Sequence, residues 1–168
     1  ICENQMWKGT KEQYYELYDV ASKHLKSCFP HLKIGGYASC GFYAISQSFV
    51  KEANSSPRKE YFIEFFDGFL DYIKKNNCPM DFFSWHSYSN TKNTTRADKW
   101  VGQELARLGF AGLETHLNEW DPYAQELGTA HHSAEIAAMM ISMQNGNPQI
   151  CCIYDMRTAN APYCPLFN

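Results

Sequence analysis

The sequence predicts an α/β protein, specifically a partial (β/α)8 TIM barrel, and three observations lead there. Helical and strand patterns alternate strictly: one helix, three strand–helix pairs, then a final strand. The connections are short, so successive strands run parallel with right-handed crossovers. Each strand–helix unit takes about 40 residues, a spacing suited to a (β/α) barrel with generous loops. Four strands cannot close such a barrel, so residues 1–168 read as a single partial barrel domain. The alternative is a four-stranded open sheet covered by helices on both faces.

The first helix is expected over residues 10–27. Thr10 can cap it, and Gln13 at the third helical position completes a capping box. Tyr14, Leu17, Tyr18, Ala21 and Leu25 follow at helical spacing as its apolar side. Leu32-Lys33-Ile34 reads as a short strand stopped by Gly35-Gly36. Pro57 fits the first turn of the second helix. Phe62, Phe65, Phe66, Phe69, Leu70 and Ile73 give that helix a continuous apolar stripe up to Asn76-Asn77.

Residues 81–88 form the second expected strand. Thr95 with Asp98 opens a third helix, carrying Trp100, Val101, Leu105 and Leu108 and closed by Gly109. Residues 113–120 form the third strand. A fourth helix spans residues 130–144, with Ile136, Ala137, Met140, Ile141 and Met143 as its buried side. Asn145-Gly146-Asn147-Pro148 breaks it, and residues 149–155 form the last strand.

Composition narrows the function. The chain has 168 residues, 45% hydrophobic and 20% charged, with a net charge of −3. That balance excludes a basic nucleic-acid-binding face. No apolar run is long enough for a membrane helix, which points to a soluble protein whose compartment the sequence leaves open. Aromatic residues reach 15%, enough for a thick core or a cleft that stacks sugar rings. The seven cysteines lack the spacing of a disulfide framework or a zinc site, and Cys151-Cys152 read as buried small hydrophobes. No targeting signal is visible, and an initial Ile reads as a processed or incomplete product.

Functional side chains of parallel α/β folds gather at the carboxyl ends of strands. The third strand ends in Leu117-Asn118-Glu119-Trp120-Asp121-Pro122. Strict alternation puts Glu119 on one face with Leu117 and Thr115, and turns His116 away behind the wall. The second strand ends in Ser84-Trp85-His86-Ser87-Tyr88, where Ser84, His86 and Tyr88 share a face. A phenol beside a carboxylate can hold it ionised and oriented, as a carboxylate nucleophile requires. The last strand delivers Asp155, with Arg157 two residues on, either to substrate or to each other. His131-His132, at a helix start, read as solvated histidines and not as a metal site.

The run Asp81-Phe82-Phe83-Ser84-Trp85-His86-Ser87-Tyr88, followed by Leu117-Asn118-Glu119-Trp120, resembles strands six and seven of a retaining glycoside hydrolase of family 39. That is the β-xylosidase and α-L-iduronidase family of clan A. Met6-Trp7 with Tyr14-Tyr15-Glu16-Leu17-Tyr18 resembles the stretch after its fourth strand, and Leu32-Lys33-Ile34-Gly35-Gly36 its fifth. The resemblance runs in order through nearly the whole chain and implies roughly strands 5–8 with their helices.

It further implies a two-carboxylate double displacement on glycosidic bonds of oligosaccharides or polysaccharides. Glu119 matches the nucleophile. His86 and Tyr88 match residues lining the sugar subsite nearest the bond broken. Trp85, Trp120, Asp155 and Arg157 complete the expected substrate contacts. The family's acid/base lies in an Asn-Glu-Pro sequence that this chain lacks; Glu3 is the one carboxylate near that place and is carried as its candidate. Tyr154-Asp155-Met156-Arg157 replaces the Trp-containing end of the xylosidases. No cofactor and no metal are implied. The expected partners are a carbohydrate substrate and either the missing barrel half or a second copy. The alternative function is a non-catalytic carbohydrate-binding half-barrel, stacking sugars on Trp85, Trp120, Tyr123 and Tyr88.

Overall fold

The computed structural model describes residues 7–39, 42, 57–122 and 126–154. Four strands, β1 (Gly35–Ser39), β2 (Phe82–Ser87), β3 (Glu114–Trp120) and β4 (Pro148–Ile153), form one parallel sheet in the order β1-β2-β3-β4. Helices α1 (Lys11–Cys28), α2 (Pro57–Asn76), α3 (Thr91–Arg107) and α4 (Ala130–Met143) alternate with them in sequence.

Helix α1 starts where the sequence predicts. The Thr10 side chain accepts from the Gln13 N–H, and the Gln13 side chain accepts in return from the Thr10 N–H at 2.9 Å. Its buried side differs: Tyr14, Tyr15, Tyr18 and Ser22 face the protein, whereas Leu17 and Leu25 are exposed. Aromatic packing decides this rotation. The Tyr18 ring meets Phe69 edge-on at 4.9 Å, and the Tyr15 hydroxyl donates to the Phe65 carbonyl at 3.1 Å. Such ring pairs add about 0.5–1.5 kcal/mol beyond their buried area. In α2 the predicted stripe is the observed one: Phe62, Phe65, Phe66, Phe69, Leu70 and Ile73 are all buried.

The first strand lies later than expected. Leu32-Lys33-Ile34 precede it, and Gly35-Gly36 open β1 instead of ending a strand. Close approach explains the glycines. A Cβ on Gly35 would sit 2.2 Å from the Phe82 carbonyl oxygen, and one on Gly36 would lie 3.1 Å from the Tyr18 ring.

Helix α3 starts four residues before Thr95. Asn90 caps it, its side chain accepting from the Asn93 N–H at 2.9 Å, while Asp98 is buried about two turns further in. Its end is a Schellman motif around Gly109 (φ 90°), with Gly109 N–H on the Ala106 carbonyl and Phe110 N–H on that of Leu105. In α4 the buried residues are His132, Met139 and Met143; the expected Met140 and Ile141 are exposed. Cys151 and Cys152 are also exposed, because the outer side of β4 is uncovered among the described residues.

The core lies between the sheet and the helices. Phe83 and Trp85 of β2, and Leu117 and Trp120 of β3, join Phe66, Phe69 and Leu70 of α2, Val101 and Leu105 of α3, and Met139 and Met143 of α4. Each fully buried large apolar side chain contributes about 1.5–3 kcal/mol. No helix among the described residues is long and apolar enough to cross a membrane.

Candidate active site

The face of the sheet turned away from the helices carries the polar side chains. In the ladder, Phe82 stands opposite Glu114, Ser84 opposite His116, and His86 opposite Glu119. Cross-strand partners share a face. Phe82 stacks on His116 at 4.0 Å with 14° between the rings, and His116 Nε2 lies 2.9 Å from Glu114. Lys33 pairs with the other oxygen of Glu114, and both partners hold that carboxyl below its usual range, His116 foremost.

Simple alternation would not place Glu119 here. Trp85 pairs with Leu117, but the next residue of β2, His86, pairs with Glu119, so Asn118 is an extra residue in β3. The shift corrects two expectations. Glu119 shares its face with His116, Ser84 and His86; Leu117 and Thr115 lie on the helix side. His116 stands on the open face and not behind it.

At the carboxyl ends of β2 and β3 the Tyr88 hydroxyl donates to Glu119 Oε1, while His86 Nδ1 lies 3.6 Å from Oε2. The latter is within ion-pair range but beyond a hydrogen bond. Burial, and then the bond to Glu119, push the Tyr88 phenol well above the ordinary tyrosine range, so it stays a donor at neutral pH. Glu119 remains partly exposed, with 31% of its side chain open to solvent. A partly exposed carboxylate with one oxygen held by a phenol can act as an oriented oxygen nucleophile or accept from a sugar hydroxyl.

Trp85 and Trp120 correct a third expectation. Both are buried against the helices, at 0% and 2% exposure, on the side opposite Glu119, and offer no surface to a sugar. The extra residue is again the cause for Trp120, since the irregularity at Asn118 turns Glu119 and Trp120 together relative to Leu117. Tyr154, just beyond β4, supplies an exposed ring instead. It meets Tyr88 edge-on at 6.4 Å, and its N–H donates to the Trp120 carbonyl at 2.8 Å. Glu3, Tyr123, Asp155 and Arg157 lie outside the described residues.

The sequence reading missed a buried pair behind this wall. His132 is not solvated: at 2% exposure its Nε2 donates to Asp121 Oδ1 at 2.7 Å, and Asp121 is 4% exposed. The available signal was spacing, since His132, Met139 and Met143 fall on one helical stripe. His131 is exposed and pairs with Glu126. No group of three or more metal-ligating side chains occurs among the described residues. A groove of about 660 Å³ lies at the other end of the strands, lined by residues such as Gln103, Leu113, Thr115 and Gln149, and includes none of Glu119, His86 and Tyr88.

Residues 3–148 match glycosyl hydrolases family 39. The chain belongs to this family. A β-xylosidase from Geobacillus stearothermophilus is 30% identical over 152 residues, covering 79% of this chain and 26% of the relative. Among solved structures, a glucosidase from Croceicoccus marinus superposes with a TM-score of 0.68 at 26% identity, covering 88% of this chain and 29% of that one. A monomeric β-xylosidase from Caulobacter crescentus CB15 gives 0.69 at 19% identity, covering 90% and 31%. The chain thus spans between a quarter and a third of these relatives, and its sheet is a partial barrel. In this family 39 chain Glu119 lies near the carboxyl end of β3, on the face of the sheet turned away from the helices.

Proposed function

We propose that this family 39 chain contributes the nucleophile half of a β-xylosidase-like retaining O-glycosidase acting on glycosidic bonds of oligosaccharides or polysaccharides. The observation that carries the reading is the Tyr88–Glu119 hydrogen bond on the open face of the sheet. In the first step a Glu119 oxygen attacks the anomeric carbon, forming an ester as the bond to the leaving oxygen breaks. A second carboxyl, about 5 Å away across the sugar, gives that oxygen its proton. The same group then takes a proton from water, which attacks the anomeric carbon and releases Glu119.

Tyr88 supports the first step by holding one carboxylate oxygen, which leaves the other aimed at the sugar. His86, beside that oxygen, is suited to a substrate hydroxyl, with Asp155 and Arg157 as further contacts. Glu3 is the candidate acid/base in this chain. The remaining strands of the barrel, from the same polypeptide or another, would cover the open face and the β1 and β4 edges. A purely carbohydrate-binding role is less well supported, because Trp85 and Trp120 are turned into the core.

The test is covalent labelling with a 2-fluoro glycoside bearing an activated leaving group, applied to the full-length protein. The expected result is a sugar ester on Glu119 and loss of turnover in Glu119→Gln. Labelling of another carboxylate, or near-normal turnover of an aryl glycoside by Glu119→Gln, would remove the assignment. Reversible binding without labelling would favour the binding module.

A further inference from the structure

Asp121 and His132 form a buried pair to which the proposed mechanism gives no part. Removing a carboxylate and an imidazole from water is costly even when they are paired, and an apolar pair of similar volume would often be as stable. The location suggests what the pair does. Asp121 is the second residue after Glu119, and its N–H donates to the Ser87 carbonyl at 3.2 Å. Between them, the Trp120 carbonyl accepts from Tyr154 N–H at 2.8 Å. The chain leaving the nucleophile is therefore tied sideways to the ends of β2 and β4.

His132 ties it to a helix. It lies in the first turn of α4, and the Thr129 side chain accepts from its N–H at 3.1 Å. One turn further, Glu135 accepts from the Thr91 hydroxyl at 2.8 Å and from the Thr91 N–H at 3.3 Å. Thr91 opens α3 three residues after Tyr88. Both segments that carry the site, the one after Glu119 and the one after Tyr88, are thus referenced to the start of α4.

We propose that the Asp121–His132 pair is a positioning device for Glu119. It sets the angle at which the chain leaves the irregular end of β3, and so keeps the carboxylate within reach of Tyr88 and of the anomeric carbon. Neither residue touches the sugar. The pair acts on the chemical step and leaves substrate binding alone. The inference rests on the reading of Glu119 as nucleophile.

The experiment uses the full-length protein and an aryl glycoside whose leaving group needs no proton, and follows release of the phenol in the first turnover, so that attack by Glu119 is the step observed. His132→Ala is expected to slow that step by about 10²-fold, the cost of misplacing a reacting atom by about 1 Å, with KM within about twofold of wild type. His132→Gln, whose amide can still donate to Asp121, is expected to recover most of the loss. Asp121→Glu keeps the carboxyl group but lengthens the link by one carbon. It is expected to remain folded, with the lowered melting temperature that an added methylene in a buried site brings, and to lose rate in the same way, and it carries the test if His132→Ala does not fold. Wild-type rates in Asp121→Glu, losses shared equally by kcat and KM, or no recovery in His132→Gln would overturn the proposal. Glu119→Gln run in parallel separates the two readings: if it retains turnover, the nucleophile assignment fails whatever His132 does.

Discussion

His86 and Glu119 stand opposite each other in the β2–β3 ladder because Asn118 is an extra residue in β3. If Asn118 took a regular place in the ladder, period-two alternation would turn Glu119 into the helices and Trp120 out to the open face. Deletion of Asn118 would leave Leu117, Glu119 and Trp120 in regular alternation, with Glu119 still opposite His86 on the open face, and is therefore expected to retain labelling by a 2-fluoro glycoside. Asn118→Ala, at an exposed side chain, is expected to change stability by no more than about 0.5 kcal/mol. A deletion variant that folds but fails to label where the wild type labels would contradict the observed register.

Tyr88→Phe isolates the phenol. A hydrogen bond to a charged acceptor is worth about 1.5–3 kcal/mol, and partial exposure puts this one at the low end. Turnover should fall about tenfold, with the fold unchanged by circular dichroism. Because the Tyr88 phenol titrates well above the ordinary range, removing it should leave the ultraviolet tyrosine titration below about pH 10 unaltered. A missing ionisation in that range would show that Tyr88 is not held protonated as described.

Asp98 links pH to stability. It is 2% exposed, and burial raises its pKa, an effect partly offset by the backbone and side-chain N–H groups of Asn147 at 3.1 and 3.0 Å. The sign follows from the raised value. Folding favours the neutral form, so the contribution is full below the unfolded value of about 3.9 and is lost as pH rises through the folded one. Asp98→Asn keeps an acceptor for Asn147 and removes the charge. It should raise the melting temperature at pH 7, and the gain should shrink toward pH 3. A gain that grows toward acid would refute this account.

Gly35 and Gly112 separate close approach from backbone conformation. The Cβ of Gly35→Ala would meet the Phe82 carbonyl, which the Asp81 N–H bond to the Ile34 carbonyl (2.6 Å) holds nearby, so a loss of about 3 kcal/mol is expected. Gly112 (φ 80°) has open space around it, and Gly112→Ala should cost only about 1 kcal/mol of backbone strain. Denaturant unfolding of both variants checks the order; the reverse order would mean that β1 and β2 are not packed as described.

The sequence by itself determined the alternation of helices and strands, the Thr10–Gln13 cap and the Phe-rich stripe of α2, because these depend on spacing within one segment. It also brought forward Glu119, His86 and Tyr88, since strand ends in parallel folds are legible from element order. What tertiary structure decided was rotation and register. Leu17 gave way to Tyr15 in the buried side of α1 because aromatic partners on α2 outweigh average apolarity. Trp85 and Trp120 went to the core and not to the sugar, and a polar His132 went inside because Asp121 was waiting for it. Glu119 reached the open face because Asn118 takes no regular place in the ladder. Periodicity within a segment cannot register these outcomes, because each is set by a partner on another strand or helix.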